Sequence, residues 1–307
     1  MFLRAALVAL IPAFAVAADP KLPLPAKMLE DGWVALFDGK STFGWKVSDG
    51  VAVKDGVLTL PAKATITFGV PLPPGKISAY EVGEEGDDEH PGGPLTLTAA
   101  AKPRGIKLLL FKPTGTKPIF NGKDLTGWSV FQDEKRAKSK WAVTPTGELH
   151  LTNGPGDLQT AAKYGDFVLQ LECKTGGKNL NSGVFFRCID KEYQNGYEMQ
   201  IHNGFKDGDR TKPSDGGSGA IYRRVPAREV VANDEEWFHM TLIAHGPTFA
   251  TFVNGYPVAN WTDERPKDDN PRKGLRLAAG HLSIQGHDPT TDLLFRNIRA
   301  AEFPKAK

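Results

Sequence analysis

Tyr197-Glu198-Met199-Gln200-Ile201-His202 alternates apolar and polar side chains without a break. Successive side chains of an extended strand point to opposite faces. Tyr197, Met199 and Ile201 therefore share one face, and Glu198, Gln200 and His202 share the other, spaced about 7 Å apart along the strand. The apolar face needs a second layer to cover it. The same period of two runs upstream through Phe167-Val168-Leu169-Gln170-Leu171-Glu172-Cys173 and Gly183-Val184-Phe185-Phe186-Arg187-Cys188. Downstream it continues through Trp237 to Ala244, then Phe249 to Val253, with Asn254-Gly255 as a hairpin turn into Tyr256-Pro257-Val258. Gly274 to Leu277, Leu282 to Gln285 and Leu293 to Ala301 complete the set. Helical periodicity is nearly absent. Many short alternating strands predict an all-β protein built as a two-sheet sandwich.

Composition agrees. The 307 residues include 33 Gly and 23 Pro, as expected where turns join many short strands. The formal net charge is only +2 and no Lys/Arg-rich run stands out, which argues against a nucleic-acid partner. Residues 1–18 read as an export signal. Arg4 supplies the positive charge, Ala5 to Ala18 is an apolar run too short to span a bilayer, and Ala15-Val16-Ala17 is a small-x-small cleavage site. The expected location is secreted or periplasmic, with no membrane span. Export makes a disulfide between Cys173 and Cys188 chemically feasible, and two buried thiols are the alternative.

An internal repeat divides the chain. Leu36-Phe37-Asp38-Gly39-Lys40 leading to Gly44-Trp45 recurs 83 positions on as Ile119-Phe120-Asn121-Gly122-Lys123 leading to Gly127-Trp128. A strand-turn-strand pattern follows each tryptophan. After that the copies diverge: the first closes with an apolar strand, Ile106 to Phe111, and contains an acidic run, Glu84 to Glu89, that reads as a solvated loop. Residues 30–112 are expected to form a small accessory β-domain and residues 117–304 the main sandwich.

The polar face of the 197–202 strand carries the chemistry. A carboxylate, an amide and an imidazole in line need water or a ligand. If Val184, Phe186 and Cys188 face the core, Phe185 and Arg187 join that polar face, and a ring beside charged groups suits a sugar. A surface ion pair of Arg187 with Glu198 or Glu172 is the competing reading. The Gly-rich stretch Asn203 to Tyr222 is long enough to act as a lid. His287, ending Ser283-Ile284-Gln285-Gly286-His287, is placed to serve as an acid or base.

These segments resemble the 3-keto-disaccharide hydrolase family. The residues that carry the resemblance are Phe120-Asn121-Gly122-Lys123-Asp124-Leu125-Thr126-Gly127-Trp128, Asn181-Ser182-Gly183-Val184-Phe185-Phe186-Arg187, Tyr197-Glu198-Met199-Gln200-Ile201, Gly219-Ala220-Ile221-Tyr222, Ile284-Gln285-Gly286-His287 and Phe295-Arg296-Asn297-Ile298. They run in order from about Lys117 to Phe303. The resemblance implies a concanavalin A-like jelly roll, and cleavage of glycosides or disaccharides already oxidised at C3 of the sugar. The two spaced carboxylates of ordinary glycoside hydrolysis are missing. A 3-keto group offers base-assisted elimination followed by hydration instead. Glu198, His202, Arg187 and His287 are the catalytic candidates. Gln200, Phe185, Asn181, Ser182, Tyr222 and Gln285 are the substrate-binding candidates. No cofactor is required by the sequence, although a divalent metal on Glu198 and His202 is one way to stabilise the enediolate. A non-catalytic carbohydrate-binding module and a structural cell-surface domain are the competing readings.

Overall fold

The computed structural model describes residues 24–304. The predicted export signal, residues 1–18, lies outside them. Apart from a five-residue helix, α1 (Ala26–Glu30), and one short 3-10 turn, every regular element is a strand. Among the described residues no helix is long and apolar enough to cross a membrane.

The N-terminal strands are β1 (Val34–Ala35), β2 (Trp45–Val47), β3 (Ala52–Lys54), β4 (Val57–Leu60), β5 (Thr65–Phe68), β6 (Gly75–Glu81), β7 (Glu85–His90), β8 (Thr96–Thr98) and β9 (Arg104–Pro113). They form a sheet ordered β3-β4-β9-β6-β7, with β1 also on β9, and a small sheet β2-β5-β8. The acidic run read as a loop is the edge strand β7. Its side chains are exposed apart from His90, and acidic side chains on an open edge discourage pairing with another chain.

The rest of the chain supplies β10 (Lys117–Pro118), β11 (Trp128–Val130), β12 (Lys140–Val143), β13 (Leu149–Thr152), β14 (Gly156–Tyr164), β15 (Phe167–Thr175), β16 (Ser182–Cys188), β17 (Tyr197–Ile201), β18 (Phe205–Lys206), β19 (Asp209–Pro213), β20 (Phe238–His245), β21 (Thr248–Val253), β22 (Tyr256–Thr262), β23 (Gly280–Gly286) and β24 (Asp292–Glu302). Gly274 to Leu277, expected as a strand, is a loop with a single bridge from Leu275 to Lys267. One sheet is ordered β12-β13-β24-β15-β20-β21-β22, with β10 also on β24, and the facing sheet is β11-β14-β23-β16-β17. All pairings are antiparallel, and the two sheets close over one core in a jelly-roll sandwich. Phe167, Leu169 and Leu171 of β15 and Met240 and Leu242 of β20 meet Val184 and Phe186 of β16, Met199 and Ile201 of β17 and Ile284 of β23.

The repeat has a structural counterpart. Trp45 donates its indole N–H to the carbonyl of Leu36, and Trp128 donates to Ile119, both at 2.7 Å. Every strand pairing of the N-terminal module has an equivalent in the main sandwich. The pairs β1–β9, β3–β4, β4–β9, β6–β9 and β6–β7 correspond to β10–β24, β12–β13, β13–β24, β15–β24 and β15–β20. Likewise β2–β5 and β5–β8 correspond to β11–β14 and β14–β23. The module has no counterpart of β16–β19 or β21–β22. Its small sheet stops at three strands, and its core is completed from outside. Val168, Ile243, Ala250 and Phe252, which point away from the main core on the outer face of the large sheet, belong to the same apolar cluster as Leu58, Leu60, Ile66, Phe68 and Leu109. Polar ties accompany them: Ala35 N–H donates to the Gly255 carbonyl, Gln170 to the Gly32 carbonyl, and Arg228 pairs with Asp38 at 2.6 Å. The module thus sits behind the large sheet, on the opposite side of the sandwich from β16 and β17.

Cys173 and Cys188 are on different sheets, both buried and both free thiols, so the thiol alternative describes them. Burial pushes both thiols well above their ordinary pKa.

Candidate active site

The outer face of the five-stranded sheet is built by parity. Glu198 of β17 lies opposite Phe185 of β16, Phe185 opposite Ser283 of β23, and Ser283 opposite Gln159 of β14. One step along, Gln200 lies opposite Gly183, and Gln285 opposite Asp157. These side chains leave the sheet on the side away from the core, and Phe185, Glu198, Gln200 and Gln285 among them floor a cleft of about 430 Å³, within the range of small-ligand sites. Asn181, Tyr222 and His287 stand around it, with Arg223, Arg224 and Arg272.

Glu198 dominates the electrostatics. Burial pushes its carboxyl up to about 8, while Arg272 and Arg223 pull it down and Asp215 pushes it up. No hydrogen bond is among the groups that set its charge. A carboxyl balanced near neutral pH in a solvent-accessible cleft is suited to proton transfer. Gly183 makes room for it: a β-carbon there would come within 2.5 Å of the Glu198 Oε1. A Gly183→Ala variant is therefore expected to turn the carboxyl toward solvent and lower its titration midpoint toward the ordinary carboxylate range. Carbon-detected NMR titration checks this, and an unchanged midpoint would contradict the packing account.

Around Glu198 the amides are only half satisfied. Gln200 donates to the carbonyl and carboxylate of Asp215, both at 3.0 Å, and Gln285 donates to Gln194 Oε1 at 3.1 Å. Their own acceptor oxygens, Gln200 Oε1 and Gln285 Oε1, are buried without a partner. Unpaired buried acceptors are rare and costly, and both border the cleft. Asp215 also accepts from Asn181 and from the Tyr222 hydroxyl, so one carboxylate ties three cleft residues together. Deeper, Asp157 accepts from Ser283, Gln159 and the Gln194 backbone N–H, and burial lifts it to about 7.

Of the residues singled out by sequence, Glu198, His287, Gln200, Phe185, Asn181, Tyr222 and Gln285 all border this cleft. Three do not. Ser182 is fully buried and donates to the Gln285 carbonyl at 2.6 Å, so it fixes the β16–β23 edge. His202 lies just past the end of β17, where the alternation stops, and its Nδ1 accepts the Gly204 N–H. Four residues of extended chain separate it from Glu198 by about 13 Å, too far for one ion to bridge. Among the described residues no cluster of three or more His, Cys, Asp or Glu is gathered to hold a metal.

Arg187 is the clearest correction. The sequence phase places it beside Glu198, but it adopts φ +52° at an irregularity in the β16–β23 register. The bulge turns its side chain to the other face. There it is 0% exposed, beneath the Phe249 ring, donating to the carbonyls of Gly165, Gly246 and Arg276 and pairing with Asp166. Burial lowers its pKa, which Asp166 partly offsets. Gly280 faces the bulge, where a β-carbon would meet the Cys188 carbonyl at 2.2 Å.

Sequence reasoning missed Arg223, Arg224, Arg272, Asp157 and Gln194. The pair Asp157 and Gln159 was detectable, because Gly156-Asp157-Leu158-Gln159 alternates like the strands around it. The arginines sit in loops, where no period marks them.

The family model for the 3-keto-alpha-glucoside-1,2-lyase-like domain matches residues 115–301. No curated protein sequence matches the chain. Among solved structures, a candidate glycosyl hydrolase from Parabacteroides distasonis aligns at 20% identity and TM-score 0.50, over 62% of this chain and 94% of that one. A second such protein from the same organism aligns at 25% identity and TM-score 0.48, over 62% and 100%. A carbohydrate binding module from Bacillus subtilis aligns at 16% identity and TM-score 0.40, over 57% and 96%. The first of these likenesses supports the sandwich fold, and only the fold.

Proposed function

The chain belongs to the 3-keto-alpha-glucoside-1,2-lyase-like family, and from that premise we propose that its cleft cleaves glycosides whose sugar is already oxidised at C3. The observation that carries the reading is Glu198: a desolvated carboxyl, lifted to about 8, beside two unpaired amide acceptors in a cleft of sugar-binding size.

The ketone acidifies the C2 proton. Glu198, when ionised, takes that proton, and the electron pair enters an enolate shared with the C3 oxygen. The enolate expels the C1 oxygen, a C1–C2 double bond forms, and the departing oxygen takes up a proton. Addition of water across the double bond then gives the free 3-keto sugar. A carboxylate of raised pKa is a stronger base than an ordinary one. Arg272, held by the Gln194 carbonyl at 2.6 Å and the leading cation acting on Glu198, replaces Arg187 as the group that stabilises the developing oxyanion. His287, hydrogen-bonded to Asp288 at 2.7 Å, stands at the cleft where the leaving oxygen can receive a proton. Gln200 and Gln285, on the sheet floor of the cleft, border the place where the sugar sits. Residues 1–18 are read as the signal that exports the protein to meet such a substrate.

Incubation with a 3-keto-glucoside tests this, following loss of the ketone chromophore and release of the aglycone. With Glu198 as base, the acid limb of kcat/KM is expected to rise about tenfold per pH unit as pH approaches 8. Tight sugar binding with no turnover at any pH would favour the carbohydrate-binding alternative, which the unpaired amide oxygens also suit.

A further inference from the structure

The wall of the cleft carries more positive charge than the elimination needs. One oxyanion develops at C3, and Arg272 is placed for it. Arg223 and Arg224 remain. Among the described residues, no carboxylate pairs with Arg223, Arg224 or Arg272, whereas Arg187, Arg228, Arg265 and Arg296 pair with Asp166, Asp38, Asp263 and Glu172. Arg224 donates to the Arg272 carbonyl at 2.8 Å, and Arg223 lies over the Tyr222 ring at 5.3 Å. Asp215 is engaged by Asn181, Gln200 and Tyr222. Arg223 holds φ +58°, an unfavourable backbone state for a residue with a side chain, and such strain concentrates at functional sites. Burial first, then the Arg265 charge, lower the pKa of Arg224, with Asp263 and Tyr197 opposing and Arg223 adding to the fall.

Resting on the reading of the cleft as a sugar site, we propose that its substrate carries an oxyanion on the leaving group, seated on the Arg223 and Arg224 guanidinium groups beside the Tyr222 ring. Planar guanidinium groups with free N–H donors suit a carboxylate or a phosphate, which they bind with paired hydrogen bonds. The Tyr222 ring, already under Arg223, offers a face to the body of the leaving group. Glu198, the proton-accepting group, and Gln200 and Gln285 belong to strands of the sheet floor. The arginines are in loops at its side, so the anion lies on the aglycone and away from the oxidised ring.

Unoxidised glucosides separate this from the chemistry, because they can bind without reacting. Calorimetry on the full chain would compare phenyl glucoside, 4-carboxyphenyl glucoside and 4-phosphooxyphenyl glucoside in both anomeric forms at low salt. The charged ligands are expected to bind at least about tenfold tighter than the neutral one. The larger gain identifies the oxyanion. The ratio of charged to neutral affinity should fall toward one in R223Q/R224Q, and shrink as sodium chloride rises from about 0.05 to 0.5 M. R223K/R224K, which keeps the charge but not the planar pairing, should retain part of it. A wild-type ratio near one overturns the proposal, as does a ratio that survives R223Q/R224Q. Should that variant fail to fold, a salt-insensitive wild-type ratio overturns it as well. Failure of every glucoside to bind folded protein overturns the anion subsite, and the sugar reading falls with it only if the 3-keto-glucoside is not turned over either.

Discussion

Replacing Glu198 by Gln is expected to slow turnover of a 3-keto-glucoside by about a thousandfold and, above pH 8, to make the folded protein more stable. The first effect follows from losing a general base, whose removal typically costs 10²- to 10⁴-fold. The second follows from linkage. The carboxyl releases its proton near 4.5 in the unfolded chain but near 8 in the folded one. Below 4.5 both states are protonated and the group is neutral to stability. Between 4.5 and 8 only the unfolded chain loses the proton, so stability falls as pH rises. Above 8 the full cost is present, on the order of several kcal/mol. A neutral glutamine carries no such cost. Melts of the two proteins should therefore coincide near pH 4.5 and separate by roughly 2–4 kcal/mol at pH 9 in favour of the variant. Equal stability at both pH values would mean that Glu198 is solvated, and its role as a tuned base would fall with its burial.

Ile243→Asp is expected to cost about 4 kcal/mol or more and to release the N-terminal module while leaving the cleft in place. Ile243 is 0% exposed and belongs to the cluster through which the large sheet closes the module's core. An aspartate there buries a charge with no partner. The main core, which faces the other way, keeps all its side chains. Two calorimetric transitions should replace one, with early proteolysis confined to residues 30–112 and sugar binding retained. A single transition at the wild-type temperature would show that the module closes its own core.

Much of this was legible where side chains follow a period. Alternation sent Tyr197, Met199 and Ile201 into the core and Glu198, Gln200 and Gln285 into the cleft, because the sheet face leaves a strand no other choice. It failed at both kinds of interruption. His202 lies one residue beyond the strand, and Arg187 sits on a bulge whose left-handed backbone reverses the face. Neither a strand's last residue nor a bulge is written in the alternation itself. Arg223, Arg224 and Arg272 reach the cleft from loops, where position depends on contacts made far along the chain. The repeat was visible through its tryptophan motif. What it lacks could be seen only by matching pairings, since the missing strands leave no trace in the copy that lost them.

The docking of the module also constrains the order of assembly. Residues 34–113 are made before Val168, Ile243, Ala250 and Phe252, which follow much later in the chain. Until β21 is made, the apolar faces of Leu58, Ile66 and Phe68 have no cover, and the growing chain carries an unfinished apolar core. Closure waits on contacts of long sequence separation, which form slowly. A chain that delays compaction in this way is exposed to self-association if its second half is truncated.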